Sequence, residues 1–297
     1  MGAVALTAQE NDMKRLAIIL LMCAPAWGGN LFTDPNCISV YYMENGALTT
    51  DSKGSNTLTA VQSPDSNTVD YMQGAGSVDL EYSDGDCFYR ADADLSADFP
   101  LKSGTTNYTM SFTCWIRPES ISTTTYPQLW AKKDPYWGVA GCALNLLQTS
   151  GMPNISCTIN PFGNLTVPWG GATFPSVDNW YFVGMSMEVN DSNYYIGWIY
   201  VWDDTNSQLL GAQSFKTLSA VGTGPPQLNT RAFVIGGVTT QGYLSGFGST
   251  YDGLMDEVTI WNRVLTEDEF DLIRGGTFGA PTGPIEGNAF QMYYNPN

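Results

Sequence analysis

Tyr251-Asp252-Gly253-Leu254-Met255-Asp256-Glu257-Val258-Thr259-Ile260-Trp261-Asn262-Arg263-Val264-Leu265-Thr266 is the stretch that organises the reading of the whole chain. Leu254 to Trp261 is rich in β-branched and large apolar residues and reads as a strand. Thr266-Glu267-Asp268-Glu269 follows as a capping box, in which Thr266 accepts from the Glu269 amide and the Glu269 carboxylate reaches back to the Thr266 amide. Leu265 and Phe270 occupy the staple positions, Glu267 and Asp268 suit the positive helix end, and Gly275 can stop the helix. One buried strand running into one short helix is the expectation.

Outward from that ending, the chain reads as short strands separated by turns. Cys37 to Met43, Ser77 to Tyr82, Cys87 to Arg90, Met110 to Ile116 and Gln128 to Lys132 come first. Cys142 to Leu147, Ile155 to Ile159, Trp180 to Val189, Tyr194 to Trp202, Leu209 to Phe215 and Phe233 to Val238 follow. Strands of this length and spacing imply an all-β sandwich or barrel. Asp84-Gly85 between the second and third predicts a hairpin. Trp180 to Val189 is apolar on both faces, as in a strand central to a covered sheet. Asn164, Pro168, Gly170-Gly171 and Pro175 predict a long loop.

The chain has 297 residues, 43% of them hydrophobic, enough for one large core. Its formal net charge of -17, with 12 Lys and Arg, would repel a phosphate backbone, so nucleic acid is excluded as a partner class. No stretch has the ~18 consecutive apolar residues of a membrane span. Lys14-Arg15, the short apolar run Leu16 to Met22 and Ala24-Pro25-Ala26 read as a secretory signal, so residues 1–26 are expected to direct an extracellular protein. The expected organisation is that segment, one domain over 30–275, and a Gly- and Pro-rich extended tail over 276–297.

Among the six cysteines, Cys142 and Cys157 lie in neighbouring strands and are expected to form a disulfide, with Cys37 and Cys87 as a second pair. Cys114 reads as a free core thiol. The absence of C-x-x-C motifs and of any histidine disfavours thiolate zinc sites and redox motifs and excludes imidazole triads.

The stretch from Tyr251 to Thr266 with its capped helix closely resembles the carboxy-terminal signature of laminin G-like and pentraxin-like jelly rolls, within the concanavalin A-like lectins. Asp51 to Asn56 after a first strand, Ser77 to Tyr82, Phe112 to Pro118, Trp180 to Val183 and Ile199 to Val201 fall in the expected order. The resemblance spans about residues 36 to 274 and implies two antiparallel sheets packed face to face, with function on loops or on the concave sheet. It also implies calcium: Asp256 matches a position that supplies one carboxylate, with Glu44 and Asp51 as companions, against the alternative that Asp256 only caps the turn beside the last strand.

For a glycan, Tyr136, Trp137 and Trp169 stand in turn-rich surroundings where a flat ring can stack on a sugar; the competing reading is that they cover a core edge. A retaining glycosidase on this scaffold needs a strand with paired carboxylates about 5 Å apart, and the family's strand motif of alternating Glu and Asp is absent. The expected function is therefore a non-catalytic, secreted or surface-displayed module that binds carbohydrate or a surface protein. A structural subunit of a virion, appendage or surface layer, forming a homo-oligomer through the 276–297 tail, is the alternative, and a glycoside hydrolase the third.

Overall fold

The computed structural model describes residues 33–120, 127–133, 141–149, 152–160, 164–166, 177–189, 195–216, 229–239 and 247–276. The signal-like segment 1–26 and the tail beyond Gly276 lie outside them.

The chain runs through β1 (Cys37–Tyr41), β2 (Thr59–Val61), β3 (Asp65–Asn67), β4 (Ser77–Leu80), β5 (Cys87–Arg90), β6 (Met110–Pro118) and β7 (Gln128–Lys132). It continues through β8 (Gly141–Thr149), β9 (Met152–Asn160), β10 (Asn164–Thr166), β11 (Tyr181–Val189), β12 (Tyr195–Asp203) and β13 (Gln208–Lys216). β14 (Phe233–Ile235), β15 (Val238–Thr239), β16 (Phe247–Gly248), β17 (Gly253–Trp261) and the helix α1 (Glu267–Arg274) complete it. One sheet has the order β13-β12-β11-β6-β17-β4-β3, with β1 also on β17; the other has β10-β9-β8-β7-β14-β5-β2, and β15 pairs β16 apart from both. All ladders among the described residues are antiparallel. This is the expected two-sheet sandwich with one short helix.

Period-two patterning sets the layers. Along β6, Met110, Phe112, Cys114 and Ile116 enter the core between the sheets, whereas Trp115 joins a second cluster on the outer face. Phe112 of the first sheet meets Trp130 of the second with ring centroids 5.9 Å apart, and Trp130 stacks on Phe233 at 6.0 Å. The outer face is covered by α1, whose capping box forms as expected. Phe270 and Ile273 pack there with Phe182, Tyr200 and Trp261.

Four expectations are corrected. The Asp84-Gly85 turn joins no hairpin, because β4 and β5 belong to different sheets. The Glu81 carbonyl accepts the amides of Asp84, Gly85 and Asp86, so the chain turns a corner between layers there. Within the stretch read as a long loop, Asn164–Thr166 forms β10 on β9. The bridge between Cys142 and Cys157 does not match the register: Cys157 lies opposite Leu144 and Cys142 opposite Ile159. That diagonal offset exceeds what a disulfide spans, and the Cys142 thiol instead donates to Met187 Sδ at 3.5 Å. Cys37 and Cys87 are buried thiols on different sheets, and Cys114 is the expected core thiol.

Candidate functional site

The two ends of the domain meet on β17. On one edge, Gly253 to Met255 pairs with β4, and Val258 to Trp261 pairs with β1. At that handover, the register with β6 slips between Asp256 and Thr259. Glu257 has a φ of 50°, an uncommon conformation for a side chain of this kind. The result is a β-bulge. Met255 and Val258 both enter the core, so the bulge leaves two consecutive carboxylates, Asp256 and Glu257, off the core face. Each is nonetheless buried, at 0% and 4% exposure.

The bulge is closed by the segment between β3 and β4. Asp256 Oδ2 accepts the amides of Met72 at 2.9 Å and Gln73 at 3.0 Å, and its Oδ1 accepts the Glu257 amide at 2.9 Å. Glu44, just past β1, accepts the Ala75 amide on both oxygens, at 2.9 and 3.0 Å. A Cβ at Gly74 would run into Glu44 Oε1, the movable end of that side chain, and φ there is +71°, a conformation that favours glycine.

Burial pushes the Asp256 carboxyl up to about 7, aided by Glu44 and opposed by the three amides. Glu257 is driven well above the usual carboxylate range by burial, with Asp256 and Glu44 adding repulsion. Burial also raises Glu44, against the Ala75 amide. Glu257 Oε2 is buried without a hydrogen-bond partner. Carboxylate oxygens are the ligands a hard cation such as calcium prefers; here those of Asp256 and Glu44 already accept backbone amides, while Glu257 Oε2 does not. Asp256 and Glu44 are the residues that would hold it. Asp51 serves elsewhere, accepting the amides of Val40, Lys53, Gly54 and Asn56 at 2.9 to 3.1 Å, which uses the ordinary capacity of a carboxylate and shapes the loop after β1.

Sequence reading misses Glu257, since nothing in a strand pattern announces a bulge, and it misses a second group. Among the described residues, Asp79, Glu81 and Glu119 bring one oxygen each within 4.8 Å of one another. Glu81 and Glu119 are exposed, and burial followed by neighbouring carboxylates raises both. Arg117 beside them pairs with Asp70, Glu119 and Asp178. The expected glycan-stacking residues Tyr136, Trp137 and Trp169 lie outside the described residues.

No curated protein matches this sequence. Solved structures with the same architecture include the botulinum neurotoxin type G receptor binding domain, 14% identical, with a TM-score of 0.51 over 81% of this chain and 51% of that one. The binding domain of botulinum neurotoxin DC in complex with rat synaptotagmin II is 10% identical, with a TM-score of 0.50 over 82% of this chain and 52% of that one. A botulinum neurotoxin type C structure, described as dependent on two ganglioside molecules for cell entry, is 11% identical, with a TM-score of 0.50 over 82% and 51%. The chain thus spans about half the length of these structures. Residues 92–270 match the family model of the concanavalin A-like lectin/glucanases superfamily.

Proposed function

Starting from the fact that the chain belongs to the concanavalin A-like lectin/glucanases superfamily, we propose that it is a non-catalytic extracellular module that binds a glycan or a surface protein through loops, with calcium at Asp256 and Glu44 fixing one of them. The observation that carries this is the bulge at Asp256-Glu257, where the buried carboxylate of Asp256 and the half-buried one of Glu44 both accept amides of the segment Met72 to Ala75. Calcium there would supply positive charge to an anionic, enclosed oxygen set. The protein's own part is to present those oxygens and to tie Met72, Gln73 and Ala75 to them. That anchors the loop whose next residues, Val69 and Tyr71, are 91% and 39% exposed.

The botulinum binding domains, which meet gangliosides and synaptotagmin, support a binding role at the level of fold alone. The test is a glycan array and a cell-surface pull-down, each with calcium and with chelator. Binding that is lost with chelator and in Asp256→Asn supports the reading. Signal no higher than background in every condition overturns it.

A glycoside hydrolase is the second reading, favoured by the carboxylates of Asp79, Glu81 and Glu119 lying within 4.8 Å. Catalytic carboxylates need a pair set apart by environment, whereas here two of the three are exposed together. Turnover of a polysaccharide panel that disappears in Glu119→Gln would establish this reading in place of the first.

A further inference from the structure

We infer that Asn45 is a modification site: in the folded protein its side-chain amide is lost to attack by the Gly46 backbone nitrogen, and the isoaspartate that results loosens the loop held by Glu44. The site is separate from the binding reading above and needs no cation. Asn45-Gly46 is the single Asn-Gly pair of the chain. It forms the centre of the turn after β1, in which the Glu44 carbonyl accepts the Ala47 amide at 2.8 Å. Asn45 and Gly46 are both exposed. Gly46 has a φ of +79°, and nothing lies within 4 Å of where a Cβ would stand. Glycine adopts either sign of φ, so the peptide plane between the two residues can turn until the Gly46 nitrogen faces Asn45 Cγ without meeting a side chain.

Water is the one co-reactant. The Gly46 N–H gives up its proton, the nitrogen bonds to Asn45 Cγ, and the Cγ–Nδ2 bond breaks to release ammonia, leaving a five-membered imide. Water then opens that ring. Cleavage of the bond from the nitrogen to Cγ yields aspartate, and cleavage of the bond to the Asn45 carbonyl carbon yields isoaspartate, in which the main chain runs through Cβ and Cγ. The chain is thereby lengthened by one atom directly after Glu44, whose carboxylate accepts the Ala75 amide on both oxygens. The turn, that carboxylate or both must shift. The two Asp-Gly pairs of the chain are less suited to the same ring closure. Asp252 accepts the Tyr82 amide at 3.0 Å and the Ser120 hydroxyl, and a Cβ at Gly253 would run into the Arg117 carbonyl, so that pair is locked at the head of β17. Asp84-Gly85 has open space around its glycine, but an ionised carboxylate has no amide to release and accepts a nucleophile poorly.

The experiment incubates the full chain at pH 8, folded and in urea, and follows each asparagine by peptide mapping, with isoaspartate identified by labelling with an isoaspartyl methyltransferase. Asn45 is expected to convert ahead of the other described asparagines in the folded chain, at a rate within a few-fold of that in urea. Gly46→Ala should slow the conversion several-fold. Asn45→Gln, whose longer side chain closes its ring far more slowly, should stay intact and carries the test if the alanine strains the turn too far to fold. Hydrogen exchange of the Ala75 amide reads the consequence. Its protection should fall in the aged chain below that of the fresh chain and of Asn45→Asp, which adds the charge without lengthening the backbone. An Asn45 that converts in urea but stays intact in the folded chain overturns the inference, because the turn then blocks ring closure. Equal rates with and without the Gly46→Ala change also overturn it, and unchanged Ala75 protection in the aged chain overturns the link to the loop.

Discussion

The ring of Phe270 lies directly over Gly184: a Cβ built on Gly184 would sit 2.8 Å from Phe270 Cδ1 and 2.9 Å from Cε1. The helix that ends the domain is therefore seated on the middle of β11, and glycine is what lets it approach. Gly184→Val is expected to destabilise the fold by about 1 to 3 kcal/mol through overpacking. Combining Gly184→Ala with Phe270→Leu should cost less than the sum of the two single changes, because they share one contact. Urea melts of the variants measure this, and simple additivity would show that the helix does not rest where the structure puts it.

Much of this architecture is legible in the sequence. The capping box and the strand before it occupy consecutive residues, so Thr266, Glu269 and the Leu254 to Trp261 pattern carry their own evidence. Three-residue strands such as Thr59–Val61 and Asp65–Asn67 are too short for a period to show, and only pairing with β5 and β4 defines them. Asp84-Gly85 has hairpin chemistry, but the choice between a hairpin and a corner is made by which sheet buries Leu80 and Cys87. At the bulge, the resemblance points to Asp256 and Glu44, and the structure ties both to the segment Met72 to Ala75. Asp51 caps the loop after β1, and in sequence a carboxylate that caps a loop and one that binds a cation look alike. Glu257 is invisible because its place depends on a bulge.

Arg263 joins two segments far apart in the chain. Its guanidinium donates to Glu269 Oε1 and Oε2 at 2.7 and 3.0 Å and to Asp34 Oδ2 at 2.8 Å. Burial works to raise both carboxyls, but Arg263 and the Thr266 amide hold Glu269 below its ordinary range, while Asn36 and Arg263 do the same for Asp34. Groups depressed in the folded state contribute stability that is complete above their unfolded values, near 4, and is lost as pH falls through the folded ones. Stability should thus decline on acidification below about pH 4. Arg263→Met should lower stability at pH 7 by about 2 kcal/mol and flatten the acid limb. An unchanged acid limb in the variant would refute the assignment.

Lys132 is 1% exposed and its Nζ lies 2.6 Å from Asp92 Oδ1, with the carbonyls of Asn229 and Arg231 at 2.8 and 3.0 Å. The ammonium ties β7 to the turn at Asp92 and to the segment before β14. Removing one member of a buried pair strands the other, so Lys132→Met should cost about 3 to 5 kcal/mol. Asp92→Asn with Lys132→Met together should cost less than the sum. Chemical denaturation of the cycle decides it, and a loss under ~1 kcal/mol for Lys132→Met would mean that the pair is solvated.

Burial pushes the thiols of Cys37 and Cys87 up to about 12 and raises that of Cys114 well above the ordinary thiol range. Thiolate, not thiol, is the reactive form. At pH 8 the folded protein should leave these three unmodified by iodoacetamide over a time in which the denatured chain reacts fully. Because Cys142 carries a thiol facing Met187, it too should be labelled in denaturant with no reductant added. Peptide mapping reads both results, and an unlabelled Cys142 linked to Cys157 would restore the bridge that the register argues against.

Gly74 is the position where the loop and the carboxylate site can be separated experimentally from the rest of the sandwich. Its φ of +71° and the 1.6 Å approach to Glu44 Oε1 mean that Gly74→Ala must displace the Glu44 carboxylate, the loop, or both. Positive φ alone makes alanine unfavourable by about 1 kcal/mol. If Glu44 grips a cation as well as the Ala75 amide, the same methyl group should also remove most of the calcium-dependent rise in melting temperature. A Gly85→Ala control has a similar φ of +78° and open space around it, so it should share the backbone cost and keep the calcium response. Equal calcium responses in both variants would show that the cradle at Gly74 serves only the fold of the loop.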